Sequence, residues 1–290
     1  MRMKHLLVVV LIAGLFIAGC SQDDPMEPNG STTMYDKDGT EFLGEITVAN
    51  GSGFAEGGVG MTGVDEGILD IMVPAGASVE QVLLYWVGGT TTAAGDDEIV
   101  IDGTPVTGTL IGGPTVFYGD YSFYAFRADI TGLGLVTAGA NSFTISGMDF
   151  DFTGGPNDEN DGVGMVAVYD DGSAGELQYF DGLDLAYFEF SPTLDATAPV
   201  TFDFTASGEA RVAQMVVQSG SVGENRPNRI VATTSAGEQI FENPMGSTDG
   251  NDFDSIVLDV NIPAGDTQLT VQLFSVPSSS PQGAVSYTHL

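Results

Sequence analysis

Oxygen-bearing side chains crowd two short stretches of this 290-residue chain. The first reads Asn157-Asp158-Glu159-Asn160-Asp161-Gly162. Asn157, Glu159 and Asp161 stand at alternate positions ahead of a glycine, which is how a tight calcium loop presents its ligands. The twelfth position is Val168, which offers no bidentate carboxylate, so an EF-hand loop is excluded and neighbouring strands would have to complete a different site. An acidic turn between Phe152 and Val163 is the simpler reading of the same residues. Asp249, Asn251, Asp252 and Asp254 form the second stretch, again read most simply as an acidic loop. Paired carboxylates can run glycoside hydrolysis, but among 40 acidic residues some pairs fall close by chance and no motif selects one. Trp86, Tyr85, Tyr118, Tyr121 and Tyr124 could build an aromatic platform for a sugar. Strand alternation places Trp86 and Leu84 on one face and Tyr85 on the other, and core packing is the simpler role for Trp86. Arg127 lies among apolar residues just before Asp129 and reads as half of an ion pair. The histidines are His5 and His289 and the single cysteine is Cys20. Ser-His-Asp and Cys-His catalysis therefore lack a base, histidine or thiolate metal sites lack ligands, and no disulfide framework exists. No catalytic motif is found.

Residues that position this chemistry begin with the N-terminus. Arg2, Lys4 and His5 precede an uncharged apolar run from Leu6 to Phe16, too short to span a bilayer as a helix and suited to a secretory signal. The run closes on Ile17-Ala18-Gly19-Cys20, which resembles the lipobox of bacterial lipoproteins. That resemblance implies cleavage before Cys20 and a thioether from its sulfur to diacylglycerol. Ser21-Gln22-Asp23-Asp24 is similar to the surface-export signal of Bacteroidota-type lipoproteins. Residues 22–39 carry Pro25, Pro28, Asn29 and Gly30 with few apolar side chains, a flexible tether. Two or three acyl chains anchor stably where one would be marginal. The expectation is a lipid-anchored protein exposed at the bacterial outer membrane.

The chain holds 40 acidic and 7 basic residues. Removing residues 1–19 takes away Arg2 and Lys4 but no acid, so the remaining charge is 5 − 40 = −35. Nucleic acid is excluded as a partner, because phosphates need a positive surface. An anionic bilayer surface would repel the protein too, leaving the lipid as its tether to the membrane. Such self-repulsion calls for screening by salt or divalent cations, so calcium is the one cofactor anticipated.

From Thr40 onward, short runs of Val, Ile, Phe, Thr and Tyr alternate with polar residues and end at Gly, Asp, Asn or Pro. This predicts an all-β fold. The runs predict strands over 43–48, 68–73, 79–87, 98–101, 122–130, 142–147 and 163–169. Further strands are predicted over 177–180, 185–190, 200–205, 211–217, 229–233, 255–260 and 268–275. A diverged repeat runs through them. Val82-Leu83-Leu84 parallels Met215-Val216-Val217, Ile99-Val100 parallels Ile230-Val231, Asp129-Ile130-Thr131 parallels Asp259-Val260-Asn261, and Phe143-Thr144-Ile145 parallels Leu269-Thr270-Val271. Two tandem β-sandwiches of jelly-roll-like type follow, joined near 189–198. The expected limits are 1–19 signal, 20–40 lipidated linker, 41–190 first sandwich and 191–290 second. The counterpart of residues 161–169 should begin near Gln282, yet the chain reads Val285-Ser286-Tyr287-Thr288-His289-Leu290. This ending resembles an artefactual tail of fragmentary gene models, so the second sandwich is expected to be truncated.

Leu83-Leu84-Tyr85-Trp86, Ala125-Phe126-Arg127-Ala128-Asp129-Ile130-Thr131, and the stretch from Asp161-Gly162 to Tyr169 with Gly182-Leu183 together resemble a family of secreted bacterial and archaeal domains of unknown function. The resemblance covers roughly residues 79–276, and the family's closing strand is missing from it. It implies a surface-exposed β-sandwich and carries over no catalytic residue. The reading that results is a surface-anchored binding or adhesion module for glycan, another surface polymer or a surface protein. An acidic glycoside hydrolase or lyase, and a structural envelope or matrix protein, are the alternatives.

Overall fold

The computed structural model describes residues 5–11, 42–92, 95–118, 121–150, 160–188, 190, 195–223 and 226–277. Apart from a three-residue 3-10 turn at Thr131–Leu133, every regular element among them is a strand, as the alternating pattern predicts. The strands form four sheets. The first outer sheet runs β4 (Glu66–Val73), β10 (Gly139–Ser146), β6 (Glu98–Ile101), β7 (Thr104–Thr107). The first inner sheet runs β3 (Gly53–Gly60), β11 (Asn160–Asp170), β5 (Ser78–Thr90), β9 (Tyr121–Asp129), β8 (Thr109–Tyr118). The second inner sheet runs β17 (Asp252–Ile262), β14 (Arg211–Val222), β1 (His5–Leu11), β12 (Gly175–Leu183), β2 (Phe42–Ile46). The second outer sheet runs β13 (Val200–Asp203), β18 (Gln268–Ser275), β15 (Asn228–Thr234), β16 (Gly237–Glu242).

Side-chain clusters show how the sheets stack. Leu69 and Ile71 of β4 meet Leu84 and Trp86 of β5 in the first sandwich core. Phe202 of β13 and Val271 of β18 share the second core with Met215 of β14 and Val260 of β17. Between the two cores, Phe54, Leu83, Tyr85 and Val166 of the first inner sheet pack on Tyr179 and Val216 of the second. The order is therefore outer, inner, inner, outer.

This stacking explains the burial patterns. In β4, on the outside, exposed and buried residues alternate. In β11 every residue from Asn160 to Val168 is buried, because both faces of its sheet are covered.

Three strands escape the sequence pattern, and one predicted strand is absent. β3 is glycine-rich, a composition strands usually avoid. Its glycines are there for close approach: a Cβ on Gly57 would lie 2.1 Å from the Asp70 carbonyl oxygen, and one on Gly60 2.2 Å from that of Asn251. In β8, Gly112 likewise lies against Leu183, where a Cβ would come within 2.2 Å. β16 is short, polar and at a sheet edge. Residues 184–187, inside and just before the predicted strand 185–190, are not strand. Leu185, Tyr187 and Phe190 are buried in a cluster with Phe117 and Phe123, so their apolar character serves packing rather than a ladder.

The two halves share a strand order. β3-β11-β5-β9 and β4-β10-β6-β7 in the first correspond to β12-β1-β14-β17 and β13-β18-β15-β16 in the second. Counted this way, the second series opens at β12, upstream of the stretch 189–198.

Candidate functional site

An open hollow of about 400 Å³ lies where β7, β9 and the 3-10 turn meet. Thr107, Thr109, Arg127, Asp129, Ile130 and Leu133 are among its lining residues. Strand β9 supplies both charges. Arg127 stands opposite Tyr85 in the β5–β9 ladder, on the face turned toward the second inner sheet. Its guanidinium pairs with the Asp181 carboxylate of β12, and the Tyr85 hydroxyl donates to the same carboxylate oxygen at 3.1 Å. Burial lifts the Asp181 carboxyl above the usual carboxylate range, against the pull of Arg127.

The ion pair expected for Arg127 is thus present, with a partner 54 residues away instead of Asp129. No periodicity in the sequence connects Arg127 to Asp181, because the contact crosses between sheets. Asp129 organises its own turn. It accepts the Thr131 amide at 3.0 Å and hydroxyl at 2.6 Å, and the Gln81 amide at 2.9 Å. Burial pushes its carboxyl up, but these hydrogen bonds prevail and hold it below the ordinary value.

Of the first acidic stretch, Asn157 and Glu159 lie outside the described residues. Asp161 is a buried β11 residue whose carboxylate accepts the Ser221 hydroxyl at 2.6 Å. Asn160 closes the preceding loop, accepting the Phe150 amide at 2.9 Å and donating to the Met148 carbonyl at 3.1 Å.

The second acidic stretch is a self-organised loop. The buried Asp254 carboxylate accepts amides of Gly246, Ser247, Thr248 and Asp249, and the Thr248 hydroxyl. Converging N–H dipoles are a good substitute for a counter-charge. Asp252 pairs with Arg226 at 2.5 Å. Asp249 accepts the Ser255 amide at 2.6 Å, and the Ser255 hydroxyl bonds Glu56 across the halves. Burial raises the pKa of both Glu56 and Asp249. Among the described residues, no group of three or more His, Cys, Asp and Glu is placed to hold a metal.

The aromatic candidates do not build a surface platform. Trp86 is buried, stacks on Phe126 at 5.8 Å and donates to the Asp96 carbonyl at 2.8 Å. Tyr85, Tyr121 and Tyr124 are buried as well, and the side chain of Tyr118 lies outside the described set. Strand alternation did place Trp86 and Tyr85 on opposite faces, as their separate clusters show. Cys20 lies outside the described residues. No helix among the described residues is long and apolar enough to cross a membrane.

Sequence reasoning missed Asp181, Gln218 and Ser221. Gln218 is fully buried and donates to the carbonyls of Gly57 and Met165, both at 3.2 Å, and to the Ser255 hydroxyl at 3.0 Å. A polar residue inside an apolar strand pattern was the available signal for it.

A scan against protein-family models finds no match, and neither does a search of curated proteins. Among solved structures, the chain is similar to a candidate beta-galactosidase from Bacteroides fragilis, at 10% identity and a TM-score of 0.20. The likeness covers 80% of this chain and 33% of that one, so this chain spans about a third of its length.

Proposed function

We propose that this protein is a lipid-anchored module of the bacterial outer surface that binds glycan or a similar polymer. The observation that carries the reading is the open hollow between β7 and β9. There the Thr107 and Thr109 side chains, the Arg127 and Asp129 charges and the exposed Leu133 lie together. Hydroxyls and charged groups suit sugar hydroxyls, and Leu133 suits the apolar side of a ring. Hydrolysis by a carboxylate pair needs two such groups, and Asp129 is the one carboxylate in the lining.

The test uses the chain from Cys20 and a panel of soluble surface polysaccharides. Thr109→Trp fills the hollow without touching the Arg127–Asp181 pair. Retention of a polysaccharide by wild type and its loss in the variant, with the melting temperature unchanged, supports the reading. Equal retention by both, or none by either, rejects it. The anchor is tested separately: Cys20→Ser should release the protein from the membrane fraction, and unchanged membrane retention would reject lipidation.

A further inference from the structure

In the first half, β11 fills the place between β3 and β5 and runs antiparallel to both. In the second half the corresponding walls are β12 and β14, and β1 lies between them, parallel to both. These are the two parallel pairings among the described residues; every other ladder is antiparallel. Both walls point the same way, as β3 and β5 do, so the slot admits a strand of either direction.

Two observations distinguish the occupant. The first is strand order. The first series, β3 to β7 with β9 to β11, has a counterpart in the second for every member except β11. The second is unpaired polar chemistry. Gln178 Oε1, Tyr179 Oη, Arg211 Nε and Gln218 Oε1 are buried without a hydrogen-bond partner, and all four belong to β12 or β14. Buried polar atoms are nearly always paired, so orphans gathered on the two walls mark a missing neighbour. The walls also define its character. Phe180, Met215 and Val217 face the second core, while Tyr179 and Val216 face the interface between halves. A strand that fits is apolar on both faces, as β11 is, with Val163 and Met165 to one side and Val166 and Val168 to the other.

We propose that the slot between β12 and β14 is an acceptor for an antiparallel strand supplied by the chain downstream of β18, taking the place that β1 holds. The inference rests on the reading of residues 1–19 as a leader that is removed. Main-chain hydrogen bonds to both walls would supply the affinity, and alternate side chains the specificity.

The experiment uses purified protein made without export, so that its failure is distinguishable from failure of the anchor reading. Three chains are compared: residues 1–290, residues 20–290, and residues 20–290 in which everything after Val276 is replaced by a Gly-Ser linker and the β11 sequence. The linker copies the 13 residues between Ser146 and Asn160 (160 − 146 − 1). The grafted chain should melt about 10 °C above residues 20–290, a change expected of a few kcal/mol in a domain this size. Amides of β12 and β14 should exchange at least about tenfold more slowly, and the protein should stay monomeric. A scrambled graft should do neither. The proposal is overturned by no gain, by an equal gain from the scrambled strand, or by a gain that appears only in a dimer.

Discussion

Leu83 of β5 and Val216 of β14 occupy matching places in the two strand series and share one cluster between the inner sheets. Further along, the strands diverge: Tyr85 corresponds to Gln218 and Trp86 to Ser219. In the first half Trp86 fills the sandwich core beside Phe126. In the second, Gln218 reaches into the other half instead, bonding Gly57, Met165 and Ser255. Gly164 makes room, since a Cβ there would lie 2.5 Å from Gln218 Oε1. One strand position thus serves a core in one half and the joint between halves in the other. Shared topology fixes where a residue sits, and its chemistry decides which layer it holds.

The largest test of that contrast is truncation at the paired positions. Trp86→Ala should cost about 4 kcal/mol in chemical denaturation, as an emptied aromatic core site does. Ser219→Ala should cost about 1 kcal/mol. Equal costs would erase the distinction between the two positions.

The joint itself is next. Asp181→Ala should cost about 3 kcal/mol, because it strips Arg127 and Tyr85 of their shared acceptor. The double variant Asp181→Leu, Arg127→Met should recover part of that loss, since a buried pair can be replaced by apolar groups at little cost. A double variant as unstable as the single one would show that the pair contributes more than mutual neutralisation.

A smaller effect is expected from pH. Burial raises the Glu56 carboxyl in the folded state. A raised carboxyl binds its proton more tightly when folded, so its contribution is present below the unfolded pKa and is lost as pH rises through the folded one. The melting temperature should therefore rise as pH falls from about 7 toward 5, with a shallower slope in Glu56→Gln. Identical slopes would exclude Glu56 as a source.

Calcium should have the smallest effect, and it sharpens the comparison between the acidic stretches. A site using Asn157, Glu159 and Asp161 predicts a melting gain in millimolar calcium that ionic-strength-matched sodium does not reproduce and that Glu159→Ala abolishes. The loop held by Asp254 should respond equally to both salts. Equal responses throughout would leave general screening of the net charge as the whole effect.

The chain's local pattern was enough for most of the secondary structure. Strands at 98–101 and 268–275 match β6 and β18 to the residue, because alternation there ends sharply at turn residues. Opposite faces for Trp86 and Tyr85 follow from the same period of two. Composition excluded thiol and histidine chemistry without any structure. Stacking decided the rest. The glycines of β3 carry no strand signal and matter only because another layer lies against them. Asp181 became the partner of Arg127 because β9 and β12 belong to facing sheets. Leu185 and Tyr187 are apolar to fill space between layers, which a one-dimensional pattern cannot tell from a strand. Periodicity is a property of one strand and its two faces, whereas these contacts depend on which sheet covers each face.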